Sequence, residues 1–190
     1  EAHAGVMSAL AVSGSIMPTI LPYETDLAPG FVEFYKKWQR WAKDTFAYVN
    51  TTEPFGEQVQ PGAVDGYARI KGDHGFIFLF NGNPRSSVIT FEVGDEINLQ
   101  AKGDYQFAEL YPSEKEKLVC DDNGKSVFAL GDKTSMTVPA NSCQLLELRR
   151  DVKPTQPLLT GLAGEVTFAK GRLAIAGVAG KAGERVRACV

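Results

Sequence analysis

The sequence predicts a mainly β protein, an antiparallel sandwich or barrel that follows one or two N-terminal helices. Short apolar or alternating runs recur from Tyr67 onward. Turn sequences such as "GDHG", "NGNP" and "DDNG" separate these runs, and no pattern of helical period lies between them, as βαβ units would require. The 190 residues, of which 44% are hydrophobic and 23% charged, are enough for one domain with a packed core.

The clearest helix pattern lies within residues 26–44, where apolar residues recur at spacings of three and four and charged residues occupy the other face. The apolar positions are Phe31, Phe34, Tyr35, Trp38, Trp41 and Ala42. Lysine and arginine gather toward the end of this segment, where the helix dipole favours cations. We interpret the aromatic stripe as a core-facing surface, so this helix must dock on another part of the fold.

The other N-terminal residues and the connection to the strands are less regular. Residues 6–21 show no clean period and can form a short buried helix followed by an extended segment. Residues 51–66 contain two prolines and three glycines, which predicts a linker. We therefore expect a helical segment over residues 1–50, which can be the end of a barrel domain, and a sandwich over residues 67–150.

Eight strands are predicted in the sandwich. They lie near residues 66–71, 75–81, 87–93, 105–111, 117–120, 126–130, 135–138 and 143–149. "FIFLF" is apolar at every position, as in a central strand covered on both faces, whereas "SVITFEV" alternates, as in a strand with one wet face. Residues 151–190 predict a hinge and a β tail of three strands, which packs on the sandwich or starts a further module.

Charge and hydropathy exclude two classes of partner. The formal net charge of -3 comes from 20 basic and 23 acidic residues spread along the chain, so no basic face for nucleic acid is expected. The longest mostly apolar run, residues 5–21, is short and interrupted by Ser13, Gly14 and Pro18, so no membrane span is expected. The chain opens on Glu-Ala-His without an initiator Met, which suggests a processed or excised piece of a longer protein.

The three cysteines make a zinc site improbable, because Cys120, Cys143 and Cys189 are far apart and form no CxxC unit. Free cysteines are usually small buried residues, and this interpretation is favoured here. A disulfide between Cys120 and Cys143 stays open as the alternative. The compartment therefore also stays open, with a secreted or periplasmic location as one alternative.

No motif in the sequence predicts an active site. The two histidines, His3 and His74, are too few for a His-rich metal motif, and a solvated role is favoured for His74 in its "GDHG" turn. Asp121 and Asp122 lie in "CDDNGKS", which lacks the alternating ligands and distant Glu of a calcium loop. Neither a GxSxG elbow nor a P-loop occurs. We therefore assign no catalytic, metal-binding or cofactor-binding residue and expect no cofactor.

The order of the segments is similar to that of a known family. "FYKKWQRWAKD", a proline-rich connection, "VDGYARIKGDHGFIFLFNGNPRSSVITFEV", "AELYPSE" and "SMTVPANSCQLLELRR" follow one another along the chain. This order resembles the C-terminal part of a glycoside hydrolase of the alpha-galactosidase and alpha-amylase type. The resemblance implies that a Greek-key β-sandwich follows the last helix of a (β/α)₈ barrel. It also implies an apolar strand ending in Asn near a Pro, and a "VPA-S" turn before another apolar strand.

The resemblance implies a non-catalytic accessory region that stabilises or caps the catalytic barrel of the same parent chain. The family's catalytic carboxylates lie in the barrel, so none is carried over to this sequence. One alternative is a module that binds an oligosaccharide, with sugar-stacking candidates Tyr67, Tyr105, Tyr111 and Trp41. Another is a structural or interaction protein that uses Trp38 and Trp41 to hold a partner.

Overall fold

Two antiparallel sheets face each other, and two helices cover the outer side of the larger sheet. The computed structural model describes residues 2–13, 29–56, 62–113, 117–150, 163–170 and 172–179. The helices are α1 (Ala2–Ser13) and α2 (Phe31–Asp44), with short 3₁₀ helices at Phe46–Thr51 and Asp95–Ile97.

Eleven strands occur among the described residues. They are β1 (Thr52–Phe55), β2 (Asp65–Lys71), β3 (His74–Asn81), β4 (Ser87–Val93), β5 (Asp104–Tyr111), β6 (Lys117–Val119), β7 (Phe128–Ala129), β8 (Asp132–Val138), β9 (Ser142–Arg150), β10 (Ala163–Ala169) and β11 (Arg172–Ala179). The eight strands predicted in the sandwich all occur, with ends that differ by at most three residues.

The connections make a Greek key. The large sheet has the order β1-β2-β3-β9-β5-β6, with β7 also paired to β5, and the small sheet consists of β4 and β8. The chain passes from β3 to the small sheet and later returns from β8 to β9, which lies between β3 and β5. Strands β10 and β11 pair with each other. The predicted antiparallel Greek-key sandwich, preceded by N-terminal helices, is confirmed.

The inner core lies between the two sheets. Its buried aromatic side chains include Phe55, Phe91, Phe107 and Phe128, and the ring centroids of Phe91 and Phe107 are 6.1 Å apart. Along β4 the side chains alternate as predicted, because Ile89, Phe91 and Val93 are buried while Val88 and Thr90 are exposed. The periodicity of two in the sequence therefore sets which face of β4 closes the core.

The outer core lies between the large sheet and the helices. Phe76 and Phe78 of β3 pack there with Trp38 of α2, whereas Ile77 and Leu79 of the same strand belong to the inner core. The prediction that "FIFLF" is covered on both faces is therefore confirmed. The aromatic stripe of α2 also faces the core, as its helical spacing predicts.

The side chain of Asn81 joins the two turns that carry the family resemblance. Its Nδ2 donates to the carbonyl oxygens of Arg85, Val138 and Pro139 at 2.9, 2.9 and 3.0 Å, and its Oδ1 accepts the backbone N–H of Asn83 at 3.0 Å. The "NGNP" and "VPA" turns are thus tied together by one amide. This is a structural reason for the two motifs to occur in the same domain.

Some elements differ from the prediction. Strand β1 lies within the range predicted as linker, where it pairs with β2 at the edge of the sheet, and Pro54 is tolerated at such an edge. Helix α2 lies within the predicted range of residues 26–44, and it begins at Phe31 after Gly30, whose φ of 81° is left-handed. The extended segment predicted after α1 and the third strand of the tail lie outside the described residues. Within the described chain, every helix is too short or too polar to cross a membrane.

The alternative of a Cys120–Cys143 disulfide is wrong. Cys143 is a free, buried thiol in the outer core, where Phe78 and Leu145 also pack. Cys120 is disulfide-bonded, so the interpretation of a free core cysteine is wrong for it. The sequence spacing could not distinguish these roles, because a disulfide depends on which cysteines the folded chain brings within bonding distance. Cys189 lies outside the described residues.

Candidate functional site on the outer face of the large sheet

The outer face of the large sheet has an apolar part beneath the helices and a polar part beside them. Five side chains make up the polar part, which we call the polar cluster: Tyr48, His74, Gln106, Glu147 and Arg149. Neighbouring strands supply four of them, since His74 begins β3, Glu147 and Arg149 lie on β9, and Gln106 of β5 stands directly opposite Arg149. Tyr48 comes from the 3₁₀ helix that follows α2.

Hydrogen bonds connect four of these side chains in a row. The His74 Nε2–H donates to Glu147 Oε1 at 2.7 Å, so Nδ1 of a neutral ring accepts the hydroxyl proton of Tyr48 at 2.8 Å. Arg149 Nη2 donates to the second oxygen of Glu147 at 2.5 Å. Each oxygen of the Glu147 carboxylate therefore accepts one hydrogen bond, and the row of four side chains is held together from Tyr48 to Arg149.

Gln106 lies deepest in the polar cluster, with 2% of its surface exposed. Neither its amide nitrogen nor its amide oxygen has a hydrogen-bond partner. A buried polar group without a partner costs roughly 1–3 kcal/mol, and native proteins contain few of them. Trp38 Nε1 of the outer core and Thr134 Oγ1 of the inner core are likewise buried without a hydrogen-bond partner.

A buried arginine joins the sheet to α1 next to the polar cluster. Arg69 Nε donates to Thr52 Oγ1 at 2.9 Å, and its Nη2 donates to the carbonyl oxygens of Ala11, at 2.8 Å, and Leu10. These carbonyls lie at the C-terminal end of α1, where the helix dipole favours a cation. Burial lowers the pKa of Arg69 to about 10, which keeps the side chain charged at neutral pH.

The predicted sugar-stacking residues lie in the two cores. Tyr105 is fully buried in the inner core, with its hydroxyl 2.5 Å from the carbonyl oxygen of Ala101, so its ring has no free face. Tyr67, Tyr111 and Trp41 are half-buried in the outer core. Burial, followed by the nearby Cys143, raises the pKa of Tyr111. Sugar stacking by the three half-buried rings stays a prediction.

The candidate partner-binding tryptophans also pack inward. Trp38 is almost fully buried, and its ring makes edge contacts with Trp41 and Tyr111 at centroid distances of 5.6 and 5.9 Å. Trp41 makes a further edge contact with Phe76 at 4.9 Å. Both rings therefore attach α2 to the sheet.

Sequence reasoning missed the polar cluster. His74 was expected to be solvated in its turn, but it bonds to Tyr48, 26 positions before it, and to Glu147, 73 positions after it. The one local signal is Gln106, a polar residue between the core residues Tyr105 and Phe107.

The "CDDNGKS" loop uses its first carboxylate to shape a turn. Asp121 Oδ1 accepts the backbone N–H groups of Asn123 and Lys125 at 2.9 and 2.8 Å. Asp122 accepts the backbone N–H and the hydroxyl of Thr137. Across the part of the chain that is described, no group of three or more His, Cys, Asp or Glu side chains is placed to hold a metal ion.

Comparison with known proteins finds similarity of structure alone. No family model and no curated protein matches the sequence. The fold is similar to part of an assigned alpha-N-acetylgalactosaminidase from Bacillus halodurans, with a TM-score of 0.50 and 12% identity over 76% of this chain and 31% of the other. An alpha-amylase from Geobacillus thermoleovorans, in complex with acarbose, matches with a TM-score of 0.45 and 9% identity over 70% of this chain and 25% of the other. The chain thus spans less than a third of each of these glycoside hydrolases.

Proposed function

We propose that this chain is a non-catalytic accessory region of a glycoside hydrolase that stabilises or caps a catalytic barrel of the same parent chain. The observation that carries the proposal is the extent of the structural match. It takes in 76% of this chain but 31% of an assigned alpha-N-acetylgalactosaminidase. A segment with the fold of part of a hydrolase, and with the segment order described above, is expected to accompany a catalytic domain.

The packing supports a structural role. The aromatic face of α2 is buried against the large sheet, so the helices and the sandwich form one packed unit. Two large apolar side chains remain exposed where the helices end: Val12 in the last turn of α1, and Phe46 two residues after the end of α2. We propose that these side chains contribute to the contact with the barrel.

The disulfide at Cys120 favours an oxidising compartment. Structural disulfides persist in secreted and periplasmic proteins and are rare in the cytosol. We therefore propose a secreted or periplasmic location.

The test compares this 190-residue chain with the longer protein that contains it, using a panel of aryl glycosides. We expect the longer protein to hydrolyse at least one substrate and this chain to hydrolyse none. In the longer protein, Phe46→Glu should lower the melting temperature of the barrel, whereas Lys36→Glu on the exposed face of α2 should not. Enzyme-like turnover by the 190-residue chain alone would overturn the proposal.

Oligosaccharide binding by half-buried aromatic rings is the second candidate. Tyr67 and Trp41 are not fully buried, which leaves part of each ring available for stacking. Calorimetric titration of the chain with oligosaccharides should then show heat that Tyr67→Ala reduces. Equal binding by the wild-type chain and the Tyr67→Ala and Trp41→Ala variants would remove this candidate.

A further inference from the structure

We propose that a disulfide between Cys120 and Cys189 is a redox-sensitive strap that attaches the C-terminal tail to the edge of the large sheet. The inference goes beyond the accessory role, because it concerns a bond within this chain and needs no catalytic barrel. Cys120 is disulfide-bonded, and Cys143 is a free thiol. The chain contains three cysteines, so Cys189 is the partner that remains for Cys120.

The register of the large sheet independently excludes Cys143 as the partner. Val119, the last residue of β6, stands opposite Phe107 of β5, which in turn stands opposite Leu148 of β9. Cys143 lies five positions before Leu148 on β9, a separation of about 16 Å along the strand. Cys120 directly follows Val119. Because the Cα atoms of bonded cysteines are about 4.4–6.8 Å apart, Cys120 and Cys143 are too distant to form a disulfide.

The hairpin of β10 and β11 gives the strap a structural role. Among the described strands, β10 and β11 pair only with each other. Residues 174–177 of β11 are all exposed, and successive side chains of a strand point to opposite faces, so neither face is covered at these positions. A two-stranded hairpin is marginally stable by itself in water. Cys189 follows this hairpin in the chain, so its bond to Cys120 ties the hairpin to the sandwich.

The bonded and the free cysteine differ in their access to a reductant. Cys120 is half-buried after β6, the last strand in the order of the large sheet, whereas Cys143 is 4% exposed in the outer core. Burial also raises the pKa of the Cys143 thiol to about 11, which makes it a poor nucleophile for disulfide exchange. A dithiol that attacks the strap supplies two electrons and two protons, becomes a disulfide itself and leaves two protein thiols.

The first test maps the bond in the 190-residue chain by mass spectrometry. The chain is denatured without reductant, alkylated with iodoacetamide and digested with trypsin. We expect one species that joins residues 118–125 to residues 188–190, and one alkylated thiol per chain, that of Cys143. The proposal is overturned if Cys120 is alkylated, or if it is linked to Cys143 or to a second copy of the chain.

The second test asks whether the strap opens in the folded chain. Dithiothreitol without denaturant should make Cys120 and Cys189 reactive toward a thiol reagent while Cys143 stays protected. Hydrogen exchange should then become faster in β11 by about tenfold or more, because a disulfide that closes a long loop typically stabilises by more than this factor. Exchange in β5 should stay unchanged. A bond that resists dithiothreitol until the chain unfolds would overturn the redox-sensitive strap.

Two variants separate the strap from the free thiol. Without reductant, Cys189→Ser should show the fast exchange in β11 of the reduced wild-type chain, and it tests the strap even if Cys120→Ser fails to fold. Cys143→Ala is the matched control, and it should keep the slow exchange and respond to dithiothreitol as the wild-type chain does. Equal exchange in Cys189→Ser and wild type would overturn the strap. That outcome leaves the accessory role untouched, because that role is tested by the activity of the proposed parent protein.

Discussion

The two faces of the large sheet are closed in different ways. The inner face is covered mainly by apolar side chains of β4, which follows β3 along the chain, and of β8, which precedes β9. The outer face is shared between two N-terminal helices, a buried arginine and the polar cluster. The inner face therefore forms the core between the two sheets. The outer face adds the helices, the buried arginine and the polar cluster, which an antiparallel sandwich does not itself require.

The difference lies in the kind of contact that each face depends on. Inner-core contacts are nonpolar and redundant, so many side chains share the stabilisation. The outer face also depends on single polar contacts between distant segments, such as Arg69 with Ala11 and His74 with Glu147. Such contacts are directional, and a single substitution can remove one completely.

The largest effect is expected from Phe107→Ala in the inner core. Phe107 is fully buried and lies between Phe91 and Phe128, so its removal leaves a cavity. The free energy of unfolding should fall by about 3–5 kcal/mol, measured by urea denaturation. Phe46→Ala, measured in the isolated 190-residue chain, is the control, because this phenylalanine is 64% exposed there. Similar losses in the two variants would show that the inner core does not dominate stability.

A smaller and more local effect is expected from Arg69→Met. The substitution keeps an apolar stem beside Phe78 but leaves Thr52 and the last carbonyls of α1 without their donor. The loss should be about 1–3 kcal/mol. Hydrogen exchange should become faster in α1 and stay unchanged in β5. Arg172→Met, at an exposed arginine of β11, serves as the control, and unchanged exchange in α1 would count against the link.

Local sequence patterns predicted most of the sandwich. Period-two alternation in "SVITFEV" and the uniform apolarity of "FIFLF" each correctly predicted which faces are buried. Successive side chains of a strand point to opposite faces, so the strand's own sequence shows which faces are apolar. Strand β1 was missed because Pro54 and the surrounding glycines resemble a linker. An edge strand tolerates such residues, since one side of it needs no hydrogen-bond partner.

The polar cluster could not be predicted in the same way. Its side chains come from three strands and a 3₁₀ helix, and the order of the strands in the sheet decides that they meet. Gln106 alternates with the core residues Tyr105 and Phe107 along β5, but the sequence does not show that its face of β5 is covered. Polar side chains that the strand order brings together leave little periodic signal in the sequence.

The third prediction concerns the pH dependence of the outer core. Burial raises the pKa of the Cys143 thiol from its usual 9.0 to about 11. Between these values the unfolded chain loses the proton while the folded chain keeps it, so the folded state binds more protons and stability must fall as pH rises. The raised pKa of Tyr111 acts in the same direction. Urea denaturation between pH 9 and pH 11 should show this decline, and Cys143→Ala should make it shallower. An equal slope in the variant would show that the thiol is not protected in the folded state.

The smallest effect is expected from Val88→Thr, which tests whether the outward side of β4 is free. Val88 is 58% exposed, and threonine has a similar shape and a similar preference for strands, so the free energy of unfolding should change by less than about 0.5 kcal/mol. Ile89→Thr, at the next residue of the same strand, places a hydroxyl in the inner core and should cost at least about 1 kcal/mol. The two substitutions should thus change the free energy of unfolding by different amounts, because the adjacent side chains face opposite sides of the small sheet. If Val88→Thr costs as much as Ile89→Thr in the proposed parent protein but not in this chain, the outward side of β4 is an interface within that parent protein.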